Sequence, residues 1–145
     1  MKTIIKNILL VDDSVNDVTL IKAALKNAHF GNEIIVAEDG EEALDFLYKR
    51  GKFADYSGDE PIFILLDIKL PLMNGIEVLK IIRADASFKR VPVIMLTSSR
   101  DTHDLQECYD NGANSFVVKP VNINDFMQVV KELGQYWVVV NELPV

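Results

Sequence analysis

The sequence predicts an open α/β fold: a parallel five-stranded sheet in the order 2-1-3-4-5 with helices on both faces. Three observations carry this. All-apolar runs such as Ile8-Leu9-Leu10-Val11 and Ile62-Phe63-Ile64-Leu65-Leu66 show no polar alternation, which marks strands buried on both faces, as in parallel sheets. Each run is followed by a stretch of helical spacing, giving βαβαβαβαβα, and such alternation joins parallel strands by right-handed crossovers. No repeat, low-complexity stretch or linker divides the chain, so residues 1–145 read as one domain.

In order, Ile8–Val11 is the first strand, ending in Asp12-Asp13. Ser14, with Asp17 three residues later, reads as a helix start capped by Ser14. Val18, Ile21, Leu25 and Ala28 form the buried stripe of that helix, and residues 27–31 end it. Ile34-Ile35-Val36-Ala37 is a strand with more polar flanks, placed at a sheet edge. Asp39-Gly40 turns into a helix carrying Ala43, Leu44, Leu47 and Tyr48. The pattern is lost over residues 49–61, where Gly51, Gly58 and Pro61 lie among charges; loops of this length are functional or mobile. The central strand, 62–67, runs into Asp67, and Pro71 forbids a simple continuation. Asn74-Gly75 closes the turn before a helix marked by Val78, Leu79 and Ile82, ending near Ala86. Val91–Thr97 is the fourth strand, with Pro92 among its first residues, where proline is tolerated. Asp101 starts a helix whose Leu105, Cys108, Tyr109 and Gly112 keep helical spacing. Ser115–Val118 is a short fifth strand before Lys119-Pro120, and Ile123, Phe126, Val130, Leu133 and Trp137 stripe a long last helix, about 122–140. Its end, Tyr136-Trp137 and Val138-Val139-Val140, leaves two readings open: completion of the core, or a self-association surface. For five strands of this kind the common doubly wound order is the flavodoxin-like 2-1-3-4-5.

Composition excludes several functions. A net charge of −7 argues against nucleic acid, which wants a basic footprint, and against anionic membranes. A single cysteine, Cys108, excludes an internal disulfide and suits a reducing compartment. Lys6 interrupts the only apolar start, and no run reaches the ~18 residues of a membrane span, so a cytoplasmic location is expected. His29 and His103 lie far apart near helix ends and read as solvated surface residues.

Four strands end in a polar residue: Asp13, Asp67, Thr97 and Lys119. In a parallel sheet those ends share one edge, where open α/β sheets place their sites. Three carboxylates there (Asp12, Asp13, Asp67) repel one another unless a counter-charge intervenes. Lys119 supplies one, and a divalent cation would supply more; all-oxygen ligands with retained waters suit Mg²⁺. The set lacks the Ser/His or Cys/His pairs of acyl transfer and the His/Cys ligands of zinc. A carboxylate can, however, accept a phosphoryl group as an acyl phosphate, a transfer that needs charge neutralisation more than acid–base chemistry.

The stretches LLVDDS, LLDIKLPLMNG, VIMLTSS and SFVVKP, in this order at strand ends, resemble a two-component response-regulator receiver domain from about Lys6 to Val140. The resemblance implies that Asp67 takes a phosphoryl group from a phosphohistidine on a sensor histidine kinase. It implies that Asp13, Asp67 and the Lys69 backbone carbonyl ligate Mg²⁺, with Asp12 acting through water. It further implies that Thr97 and Lys119 bind phosphoryl oxygens, that the Lys119–Pro120 bond is cis, and that Phe116 is the aromatic switch position. The 49–61 loop, with Phe126, Val130 and Trp137, is similar to single-domain regulators paired with phytochrome-type kinases. Output is then altered partner binding, or homodimerisation through the face of the fourth helix, fifth strand and fifth helix. Two positions depart from the family pattern: Lys69, where many relatives carry a smaller polar residue, and Phe116, which lacks the hydroxyl of the commoner tyrosine.

Two other functions fit parts of the pattern. A phosphatase with an aspartyl nucleophile would share Asp67 and Lys119, but such enzymes usually place a second Asp two residues on, where this chain has Lys69, and carry a larger cap than residues 49–61 offer. A flavodoxin-type cofactor binder wants a glycine- and hydroxyl-rich loop after the first strand, where Asp12-Asp13-Ser14 would repel a phosphate.

Overall fold

In the computed structural model the described residues are 6–27, 31–58 and 60–142. Ala28, His29 and the first five residues, which carry the expectations above for the first helix's end and the N-terminus, lie outside them. The elements are β1 (Ile8–Val11), α1 (Val15–Asn27), β2 (Ile34–Ala37), α2 (Gly40–Tyr48), β3 (Phe63–Leu66), α3 (Gly75–Ala84), β4 (Val93–Thr97), α4 (Thr102–Asp110), β5 (Ser115–Val118) and α5 (Ile123–Gly134). All strand pairs are parallel and the order is β2-β1-β3-β4-β5, so β2 is an edge and β1, β3 and β4 are interior.

Strand alternation divides the core in two. Leu9, Val11, Ile64, Leu66, Val93 and Met95 face α2, α3 and α4, where Leu44, Leu79, Ile82 and Cys108 are buried. Ile8, Leu10, Phe63, Leu65, Ile94 and Leu96 face α1 and α5, meeting Ile21, Leu25, Phe126 and Val130. An interior strand covered on both sides cannot alternate with polar residues, which accounts for the uninterrupted apolar runs.

Several boundaries and faces differ from the sequence reading. Pro92 precedes β4 rather than lying within it, though its carbonyl still accepts the Ile64 N–H at 2.9 Å. α3 stops at Ala84 because Asp85 leaves helical geometry and caps a 3-10 turn over Ala86–Phe88 through the Ser87 N–H, 2.8 Å away. The 49–61 segment contains a 3-10 turn, Gly51–Phe53, and is held by Phe53 and Tyr56 against Phe46, with ring centroids 5.2 and 4.9 Å apart. Of the α4 stripe only Cys108 is buried; the Tyr109 ring is half exposed and its hydroxyl accepts the Phe116 N–H at 3.1 Å. Ile123 is exposed and lines a cleft with Val121 between α1 and α5. α5 continues as a π-helix over Gln135–Val140, in which Trp137 and Val138 are half-buried against the core while Tyr136, Val139 and Val140 are exposed. The Lys119–Pro120 bond is trans, no cis peptide occurring among the described residues; trans is the intrinsically preferred isomer of X-Pro.

Candidate functional site

Asp12, Asp67 and Lys119 are each fixed by one more rung of the parallel ladder beyond their strands. The Asp67 N–H donates to the Val11 carbonyl at 3.0 Å, the Asp12 N–H to Ala37 at 3.1 Å, and the Lys119 N–H to Thr97 at 2.7 Å. These bonds hold three strand ends at one edge. The loop after Asp67 folds back so that the Gly75 N–H donates to the Ile68 carbonyl at 2.8 Å. A Cβ on Gly75 would stand 1.9 Å from the Asp67 carbonyl oxygen, so only glycine permits this closure. Asn74 then caps α3, accepting the Ile76 N–H at 2.6 Å.

Asp12, Asp13 and Asp67 each offer a carboxylate oxygen, and these oxygens lie within 4.8 Å of one another. Asp12 and Asp67 are buried while Asp13 is exposed, so the cluster has an inner wall of protein and an outer side open to water. The Lys119 ammonium bonds Asp12 Oδ2 at 2.7 Å and Asp67 Oδ2 at 2.9 Å. The second oxygen of each carboxylate is also held: Asp12 Oδ1 accepts the Ser14 N–H at 2.9 Å, and Asp67 Oδ1 the Ile68 N–H at 2.7 Å. Burial pushes the Asp12 carboxyl above its usual range, against the pull of Lys119 and the Ser14 N–H. Burial alone would lower the Lys119 value, but its carboxylate partners outweigh it and raise it, so the lysine stays protonated.

Three carboxylates and no sulfur or imidazole make a hard-cation donor set. Its open side leaves room for the waters that such an ion retains. The residues present therefore fit a divalent metal.

Thr97 is fully buried, and its Oγ1 accepts the Ser99 N–H at 3.2 Å. Ser98 is exposed; Ser99 is buried and turned away, its hydroxyl donating to Asp104 at 2.7 Å. Lys69 is exposed on the loop after Asp67. Phe116 packs half-buried against the α2–α3–α4 side of the core. Asp12, Asp13, Asp67 and Lys119 are thus brought together, Thr97 stands at the end of the neighbouring strand, and Phe116 lies apart from them.

The sequence reading missed Asp17. Ser14 caps α1 as expected, its Oγ accepting the Asp17 N–H at 3.2 Å. The Ser14 N–H, however, is taken by Asp12, and the Asp17 carboxylate turns instead to Lys119, at 2.9 Å. The signal was the spacing itself: an acid at the third helical position points back toward the loop that precedes the helix.

The chain is similar to known proteins along most of its length. Residues 8–131 match the family model described as the response regulator receiver domain. The chain is 34% identical over 139 residues to response regulator Rcp1 of a Synechocystis strain, covering 96% of this chain and 93% of that protein. Its backbone is similar to the crystal structure of the phosphorylated cyanobacterial phytochrome response regulator RcpA, with a TM-score of 0.91 at 36% identity, covering 97% of this chain and 99% of that one. The Mn²⁺-bound form of Rcp1 superposes with a TM-score of 0.90 at 34% identity, over 97% of this chain and 99% of that one. No helix among the described residues is long and apolar enough to cross a membrane.

Proposed function

The chain belongs to the response regulator receiver-domain family, and on that footing we propose that Asp67 accepts a phosphoryl group from a histidine kinase in a Mg²⁺-dependent reaction, which alters how the protein binds its partners. The observation that carries this reading is the Lys119 ammonium 2.9 Å from Asp67 Oδ2, beside the cluster of three carboxylates. A carboxylate oxygen of Asp67 forms the new P–O bond as the P–N bond to the kinase histidine breaks, and the departing imidazole nitrogen takes up a proton. Lys119 balances charge on the phosphoryl oxygens, and the Thr97 hydroxyl donates a hydrogen bond to one of them. Asp13, Asp67 and the Lys69 carbonyl would hold the cation, with Asp12 supporting it through a water. When bound, the metal supplies the charge neutralisation that phosphoryl transfer needs. The ladder bonds under Asp12, Asp67 and Lys119 fix these groups before the donor arrives, which is the preorganisation that favours such a transfer.

The protein is a signalling switch of the two-component type, and its chemistry on Asp67 serves that switch rather than turnover of an outside substrate. The reading takes residues 1–145 as one receiver unit. Similarity to RcpA supports a phytochrome-type kinase as phosphodonor. Phe116 is the switch residue, and the exposed Tyr109, Tyr136, Val139 and Val140 supply a homodimer face along α4, β5 and α5. A cytoplasmic location follows from a kinase partner of this kind. Acetyl phosphate with Mg²⁺ is expected to add one acid-stable, base-labile phosphoryl group, and Asp67→Asn or chelation to abolish it. A label of the same lability on Asp67→Asn overturns the reading.

A further inference from the structure

Lys119 has three N–H donors and spends each on a carboxylate: Asp12, Asp17 and Asp67, at 2.7, 2.9 and 2.9 Å. Two of these partners also belong to the acidic cluster; Asp17 does not. Asp12 and Asp67 would share their oxygens with a cation held in the cluster, whose charge would repel the ammonium between them. Phosphorylation then replaces the free Asp67 carboxylate altogether. Asp17 is the partner that neither event removes. It reaches Lys119 from α1, its backbone fixed by the Ser14 cap, and its side chain is 28% exposed against 2% for Asp12 and 9% for Asp67. The contact lies beside the cleft between α1 and the start of α5, which both residues line.

Resting on the receiver reading above, we propose that Asp17 is a positioning residue: it tethers the Lys119 ammonium from the α1 side, so that the lysine stays aimed at Asp67 while the cation and the phosphoryl group rearrange its other partners. Without the tether the ammonium, repelled by the metal, swings along the cleft toward solvent. The plain alternative is that Asp17 merely favours the N-terminus of α1, as acidic residues in a first turn do.

The test compares wild type, Asp17→Asn, which keeps a carbonyl acceptor, and Asp17→Ala, which keeps none. The first readout is the ¹⁵N–¹H signal of the Lys119 ammonium in the unphosphorylated protein with Mg²⁺, a signal that survives only when the group is held away from exchanging water. It is expected to persist in wild type, weaken in Asp17→Asn and vanish in Asp17→Ala, while thermal melts show all three folded. The second is the rate of labelling by acetyl phosphate at saturating Mg²⁺, expected to fall roughly tenfold to a hundredfold in Asp17→Ala, as for a displaced catalytic group, and less in Asp17→Asn. A protected ammonium and a wild-type labelling rate in Asp17→Ala overturn the proposal. If wild type itself takes no label, the functional reading fails, and the ammonium signal alone decides the role of Asp17.

Discussion

Replacing Lys119 by methionine isolates the electrostatics of the site. The lysine side chain is 7% exposed, and the change leaves the buried Asp12 and Asp67 carboxylates facing each other with their shared counter-charge gone. Removing one partner of a buried ion pair costs about 3–5 kcal/mol. The lower end applies here, because burial already favours the protonated form of Asp12, which relieves the repulsion. A loss of about 3 kcal/mol corresponds to a melting temperature lower by roughly 10 °C in a domain of this size. The sign with pH follows. In the variant, loss of the ammonium adds to the burial that already raises the Asp12 carboxyl, so the deficit is absent where folded and unfolded states are both protonated and grows as pH rises through the raised folded value. Melting curves followed by circular dichroism, with chelator, should therefore show a gap that widens as pH rises and shrinks on acidification. Mg²⁺ should narrow the gap at the higher pH by replacing the lost charge, stabilising the variant more than wild type. A variant as stable as wild type at every pH, or a deficit that neither acid nor Mg²⁺ changes, refutes the argument that the lysine is there to quiet the carboxylates.

Other perturbations test the frame that holds the site. Gly75→Ala places a Cβ 1.9 Å from the Asp67 carbonyl and should cost about 3 kcal/mol or more, at the upper end of overpacking penalties, with loss of Mg²⁺ binding in calorimetry. Arg83 donates to the Gly112, Phe88 and Val91 carbonyls and to Asn114 Oδ1 at 2.8–3.0 Å, tying α3 to the loop after α4 and to the segment that leads into β4. Arg83→Met should lower stability by about 1–2 kcal/mol in urea unfolding, since the Val91 carbonyl, on a buried residue, loses its Arg83 donor, and Arg83→Lys should restore less than half, lacking the planar fork. The Cys108 thiol is fully buried and pushed up to about 11 by burial and by Asp104 and Glu107. Native protein should resist alkylation at neutral pH while denatured protein reacts readily. Its titration leaves stability untouched at neutral pH and lowers it as pH climbs from 9.0 toward about 11.

The sheet was legible because burial on both faces removes polar residues from interior strands, and the candidate site because four strands run into polar residues, Asp13, Asp67, Thr97 and Lys119. What escaped depends on helix rotation and on which of two acceptors wins a donor. Asp17 could be placed in the first turn of α1, but that it reaches Lys119 follows only once Asp12 has taken the Ser14 N–H. Tyr109 keeps helical spacing with Leu105, yet its hydroxyl accepts the Phe116 N–H on β5 instead of the ring entering the core. Ile123 carries an apolar side chain at the right period but precedes the part of α5 that covers the sheet. The 49–61 loop shows no period because its order comes from Phe53 and Tyr56 packing on Phe46, which spacing does not encode.

The claim that one carboxylate among several carries the phosphoryl group can be read directly. After reaction with acetyl phosphate and Mg²⁺, borohydride reduces an acyl phosphate to an alcohol, and peptide mass spectrometry locates the altered aspartate. A change is expected at Asp67 alone, dependent on the metal. Reduction at Asp12 or Asp13, or an unaltered Asp67 in protein that carries the label, contradicts it.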